Sequence, residues 1–121
     1  EEERISMMDI EQNDLILMPI SSLPSLAGSS VDLFLNTRSF SEMDYVQVET
    51  YLKEIARICR GYFFHENSGS AIPKGDHLEV VASEFPVDMK AFKLLYHSVS
   101  PWVVGGGRYQ EFLYESRQMR G

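Results

Sequence analysis

Residues 31 to 66 pass from a short apolar segment, through an amphipathic helical pattern, into an aromatic segment with little between them. That order restricts the chain more than any other feature. Two strands separated by a helix cannot close as a hairpin. They need a crossover, and such a connection makes them parallel and right-handed. The first segment is Val31-Asp32-Leu33-Phe34-Leu35-Asn36. Its apolar residues fall on both faces, which predicts a strand covered by helices on both sides. In the helix, Val48, Leu52, Ile55 and Cys59 share one face, with Tyr45 and Ala56 beside them. Ser41 or Asp44 is placed to cap it, with Ser41 three residues before Asp44 in a capping-box spacing. Arg57 and Arg60 fall in the last turn, where they complement the helix dipole, and Gly61 is the expected stop. Tyr62-Phe63-Phe64-His65-Glu66 is then the second strand of the unit.

The flanking segments are read with the same rules. Residues 1–14 form a polar, acidic arm, with a short strand expected around Ile5 to Asp9. Leu15-Ile16-Leu17-Met18, bounded by Asp14 and Pro19, reads as a buried strand. Ser21 to Ser30 is a loop with a helical turn at Leu23 to Ala27, and Asn67 to His77 is a second loop. Val80 to Pro86 and Met89 to Phe92 fit either a short strand or a helical turn. Phe92 to Val99 and Tyr109 to Glu115 are strands joined through Pro101, Trp102 and Gly105-Gly106-Gly107, an antiparallel hairpin. The glycines read as a flexible connector. No helix follows to make them a phosphate loop. The whole is an α/β order.

Composition sets the outer limits. With 121 residues, 44% of them hydrophobic, the chain fits one globular domain. Eighteen acidic residues against 11 basic ones leave a net charge of −7, which argues against nucleic acid or an anionic membrane as partner. No apolar run approaches the roughly 20 residues of a membrane span. The opening Glu1-Glu2-Glu3 is not the basic start of a secretory signal. A single cysteine, Cys59, excludes an intrachain disulfide framework and a Cys-rich zinc site, and a cytoplasmic setting is expected. His65, His77 and His97 show no metal-ligand spacing, so no metal is expected.

One stretch carries a family likeness. Asp32-Leu33-Phe34-Leu35-Asn36-Thr37-Arg38-Ser39-Phe40-Ser41-Glu42-Met43-Asp44 resembles a segment of sugar O-methyltransferases, which are class I S-adenosylmethionine-dependent enzymes. Leu23-Pro24 and Val31-Asp32-Leu33 stand where that family has a Leu-Pro loop and the start of its fourth strand. Arg60 to Asn67 looks like the fifth strand, and Phe92 to Glu115 like the sixth and seventh, the antiparallel hairpin that closes the sheet. The likeness runs over residues 15–117. It implies a partial Rossmann-like sheet, mixed in direction, with few helices. In the complete family the cofactor is held by a Gly-rich turn after the first strand and by an acid ending the second. Neither is present here in the right order. The resemblance therefore implies the C-terminal half of such a domain, without independent methyl transfer and binding no S-adenosylmethionine by itself.

Candidate site residues follow from where strands end, because open α/β sheets bind ligands at the C-terminal edge of their parallel strands. Arg38 and Ser39 are expected to contact substrate there. Alternatively Arg38 pairs with a local acid such as Glu42 and Ser39 caps a helix. His65 and Glu66 are candidates for taking a proton from a sugar hydroxyl, and Asn67 beside them is expected to contact substrate. The other reading of His65 is a packed strand-end histidine with a backbone partner. Trp102 and Tyr109 are placed to form an aromatic wall for a sugar ring, or to pack within the hairpin. A half-sheet also leaves an unpaired edge and an uncovered apolar face. The alternative function is therefore a homodimeric binding or assembly module. The expected partner is accordingly a second copy or the missing N-terminal half.

Overall fold

The computed structural model describes residues 7–70, 73–75, 77–78, 80–101 and 108–119. The elements in chain order are helix α1 (Met7–Gln12), a 3-10 helix (Ile20–Ser25), strand β1 (Val31–Thr37), a 3-10 helix (Ser39–Glu42) and helix α2 (Tyr45–Ile58). Strand β2 (Cys59–Ser68), the short strands β3 (Pro73–Lys74) and β4 (His77–Leu78), a 3-10 helix (Ala82–Glu84), β5 (Phe92–Val99), β6 (Tyr109–Ser116) and a 3-10 helix (Arg117–Met119) complete it. The main sheet has the order β1-β2-β6-β5. β1 and β2 are parallel, and β6 is antiparallel to both β2 and β5. β3 and β4 form a separate antiparallel pair.

The crossover unit forms as its pattern requires. The apolar face of α2 (Val48, Leu52, Ile55) packs on Phe63, Phe112 and Tyr114 of the sheet, together with Phe40, Val80, Phe85 and Phe92. Among the described residues only one face of the sheet is covered in this way. On the other, Leu33 and Leu35 of β1 are more than half exposed, at 53% and 62%. The register sets Leu35, Phe64, Leu113 and Tyr96 in one row across that open face. β1 is therefore not the doubly covered strand its composition suggests. Apolar residues on both faces of a strand show that burial is favourable, not that a second layer is at hand.

The helix begins one signal later than the Ser41 spacing suggests. Asp44 is the cap: Gln47 N–H donates to Asp44 Oδ1 at 2.8 Å, and Asp44 N–H donates to Gln47 Oε1 at 3.2 Å. Ser41 instead lies in the preceding 3-10 helix, where its hydroxyl is committed elsewhere. The Asp44→Ala variant is expected to lose about 1 kcal/mol in urea denaturation. An unchanged midpoint would show that the 3-10 helix before it sets the start of α2.

The far end of α2 departs further from expectation. The chain passes from Ile58 straight into β2, so Arg60 is a strand residue whose Nε donates to Asp32 Oδ1 across the sheet at 2.6 Å. Arg57 does lie in the last turn, and its guanidinium donates to the carbonyls of Leu23 and Leu26 as well as to Glu54. Gly61 is not a helix stop but a buried strand residue at a bulge. Val31 faces Cys59 and Leu33 faces Tyr62, so β2 has one more residue than β1 over that interval. A Cβ on Gly61 would lie 2.0 Å from the carbonyl oxygen of Asp32.

Two expectations for the N-terminal part are overturned. Met7–Gln12 is a helix, where a strand was expected to reach Asp9. Leu15 to Met18 pairs with no strand among the described residues, and Leu15 and Leu17 are 79% and 90% exposed. Only Met18 reaches the small cluster of Leu23, Leu26 and Ile58. An apolar run becomes a strand only when a free edge accepts its backbone hydrogen bonds, and pairing is not a local property. The remaining ambiguity resolves as a 3-10 helix over Ala82–Glu84 followed by turns. Gly105 to Gly107 and Trp102 lie outside the described residues.

Candidate functional site

The C-terminal ends of β1 and β2 meet in a group of polar side chains, which the alternation of the strands divides between the two faces of the sheet. On the covered face, Asn36, His65 and Asn67 join Ser39 and Ser41 of the 3-10 helix. Asn67 is fully buried. Its Oδ1 accepts from both the N–H and the hydroxyl of Ser41, at 3.1 and 3.2 Å. Its Nδ2 donates to Asn36 Oδ1 at 3.0 Å and lies 3.3 Å from His65 Nδ1. All four hydrogen-bonding positions of this amide are thereby used. Asn36 Nδ2 donates in turn to Ser39 Oγ at 2.5 Å, and Ser68 N–H donates to Ser41 Oγ at 2.7 Å. The network fastens β1, β2 and the intervening 3-10 helix together.

His65 sits at the bottom of this network. Because the Asn67 amide is oriented by Ser41, His65 Nδ1 must accept, which places the proton on Nε2. The ring is fully buried and packed among Phe112, Phe85 and Phe63, at centroid distances of 4.8, 5.0 and 5.4 Å. Nε2 is buried and has no hydrogen-bond partner among the described residues. Burial, aided by the nearby His97, pushes the imidazole pKa down to about 3. The expected general base is thus a neutral ring with no solvent contact. Its polar partner is the Asn67 side chain rather than a backbone group. A sugar hydroxyl on the surface does not reach it in this conformation.

Arg38, Glu66, Ser100 and Tyr109 form the second group. Arg38 has a left-handed backbone, φ 67°, unusual for a residue with a Cβ. Its N–H donates to the Glu66 carbonyl at 2.6 Å, and its carbonyl accepts from Ser41 N–H at 3.1 Å. Its Nε donates to Glu66 Oε1 at 3.2 Å, and its guanidinium lies over the Tyr109 ring, 4.4 Å from the centroid. The Arg108 guanidinium is 5.2 Å from the same centroid. Glu66 Oε2 accepts from Ser100 Oγ at 2.6 Å. Both carboxylate oxygens of Glu66 are therefore engaged, and its side chain is only 10% exposed. Glu66 acts here as an anchor for Arg38, not as a base open to a ligand. The local acid that Arg38 chooses is Glu66 rather than Glu42.

The structure thus brings Arg38 and Glu66 together as one unit, and Ser39, His65 and Asn67 as another. Trp102, expected beside Tyr109, falls outside the described residues. Two contributors escaped sequence reasoning. Ser41 reads in the sequence as a helix cap, and Ser100 carries no local signal. Ser100 is placed only by the β5–β6 pairing, in which its N–H donates to the Tyr109 carbonyl at 2.9 Å.

Among the described residues, no group of three or more His, Cys, Asp and Glu side chains converges to hold a metal, and no helix is long and apolar enough to cross a membrane. Fold and site together define a mixed α/β protein with a four-stranded sheet and polar residues gathered at one strand edge. No protein-family model matches the chain, and no curated protein matches it.

Proposed function

We propose that the chain is the C-terminal part of a Rossmann-like domain of the class I S-adenosylmethionine-dependent sugar O-methyltransferase type. On this reading it supplies the acceptor side of a cytoplasmic enzyme and does not transfer methyl groups by itself. The observation that carries the reading is the sheet. A parallel β1–β2 unit runs into an antiparallel β5–β6 hairpin, with Arg38 and Glu66 at the C-terminal strand edge where such sheets take ligands. On this reading β1 stands in the place of the family's fourth strand, so the Gly-rich turn and the acid that hold the cofactor, which follow the first and second strands, are not among the residues of this chain. No step through S-adenosylmethionine is derived from this chain. Its contribution is to hold an acceptor in place.

Calorimetric titration tests this. The 121-residue chain is expected to show no binding of S-adenosylmethionine, and a longer product of the same reading frame is expected to bind it. Tight binding by the short chain, or a frame with no Gly-rich strand–turn–helix before Glu1, would overturn the reading.

A second reading is favoured by the uncovered surfaces. Among the described residues the outer edge of β1 has no neighbour in the sheet, and Leu33 and Leu35 beside it are exposed. Such an edge invites pairing with another chain. On this reading the chain is a homodimeric binding or assembly module. Multi-angle light scattering is expected to give a dimer, and a monodisperse monomer across concentrations would count against it.

A further inference from the structure

The Arg38 guanidinium is held by two contacts, the Tyr109 ring and the Glu66 carboxylate. Its Cζ lies over the Tyr109 ring, 4.4 Å from the centroid, and one of its hydrogen-bond positions, Nε, is taken by Glu66. Stacking on an aromatic ring uses the face of a guanidinium and leaves the in-plane donors free. Neither terminal nitrogen has a hydrogen-bond partner among the described residues, and the side chain is 47% exposed. The open end is thus a planar pair of N–H groups, already oriented, at the C-terminal end of a parallel strand. Glu66 is turned toward Nε and is itself held by Ser100, so the opposite edge of the fork is the one available.

The backbone supports the same conclusion. A left-handed Arg38 costs free energy that glycine would avoid. It is maintained by the hydrogen bonds from Arg38 N–H to Glu66 and from Ser41 N–H to Arg38. Backbone strain held in place by surrounding structure is concentrated at functional sites. A terminal guanidinium fork matches a group with two oxygens in one plane, the geometry of a carboxylate or of two phosphate oxygens. A neutral hydroxyl uses only one of the two donors.

We propose that Arg38, set by Glu66 and Tyr109, binds the anionic group of an acidic sugar, a carboxylate or a phosphate. The sugar part of this assignment rests on the methyltransferase-type reading above, and the anion site stands on its own geometry. A backbone-amide NMR titration of the 121-residue chain tests it with three probes: glucuronate, glucose 6-phosphate and glucose. Saturable shifts centred on Arg38, Glu66 and Tyr109 are expected with at least one anion and not with glucose. Which anion binds distinguishes carboxylate from phosphate. Arg38→Gln is expected to abolish binding. Arg38→Lys, which keeps the charge and loses the fork, is expected to weaken it about tenfold or more. If Arg38→Gln does not fold, Arg38→Lys decides. The proposal falls if neither anion shifts these amides, if glucose binds equally, or if Arg38→Lys binds as the parent does. Anion binding at Arg38, with no S-adenosylmethionine bound by the longer product, would keep the site and remove the methyltransferase reading.

Discussion

Replacing Gly61 with alanine is expected to destroy the pairing of β1 with β2. The added methyl group would stand 2.0 Å from the Asp32 carbonyl oxygen, 2.9 Å from its carbon and 3.2 Å from its Cα. All three atoms belong to backbone inside the sheet. A flexible side chain could swing away from such a contact, but a paired strand cannot. The strands must separate or the bulge must shift. A one-residue shift would move Phe63 from the core to the open face and bring Phe64 in. The expected cost is at least about 3 kcal/mol, the range of severe overpacking, and about a 10 °C or greater fall in Tm. Urea denaturation of Gly61→Ala beside the parent measures it. A loss under 1 kcal/mol would mean that the two strands separate easily at this point.

The second large effect is a loss of stability in acid that originates at His65. Its pKa is pushed down to about 3 by burial in the folded chain, against an ordinary value of 6.5. Protons therefore bind the unfolded chain more tightly. The folded state keeps its full stability above pH 6.5 and loses it as pH falls from there toward 3. The slope approaches 1.4 kcal/mol per pH unit, so the loss from this residue is roughly 4 kcal/mol across the window. Carboxylates titrate in the lower part of the same range, so a variant must isolate the histidine. His65→Phe keeps an aromatic ring among Phe63, Phe85 and Phe112 and removes the titrating group. It leaves one Asn67 amide hydrogen without an acceptor, at a cost of about 1 kcal/mol at neutral pH. The stability difference between parent and variant is expected to shrink, then reverse, as pH is lowered from 6.5 to 4. Parallel curves would show that His65 finds a charged partner or water on acidification.

These two positions also show how far the residues could be read in one dimension. The helix face of Val48, Leu52 and Ile55 and the strands on either side were legible because their signals are periodic and local. The hairpin of β5 and β6 was legible for the same reason. Gly61 was legible as punctuation but not in its role. A glycine that ends a helix and one that admits a neighbouring strand look alike in sequence. Leu15 to Met18 carries a clear strand pattern, yet it pairs with no strand among the described residues. Ser41 stands in a capping-box spacing but serves Asn67 and Ser68, because β2 passes beside it.

The candidate site divides in the same manner. Residues 38, 39, 65, 66 and 67 were placed at one sheet edge by strand order alone. Strand alternation then sends Glu66 to one face and His65 and Asn67 to the other. Which face is dry depends on where α2 and the segment carrying Phe85 pack. His65 became a sealed ring and Glu66 an anchor for Arg38 because of contacts made across 20 or more residues of chain: 28 residues separate Arg38 from Glu66, and 34 separate Glu66 from Ser100.

By itself, the amino-acid sequence determined the elements of the central unit, their order and the parallel sense of β1 and β2, because periodicity and connection length act locally. Tertiary structure alone decided the bulge at Gly61, the uncovered face of Leu33 and Leu35, the solvated Leu15 and Leu17, and the partners of Arg38. Each of these depends on which surface is near which. A hydrophobic or polar residue states what it would gain from a partner, and only the folded chain determines whether one is within reach.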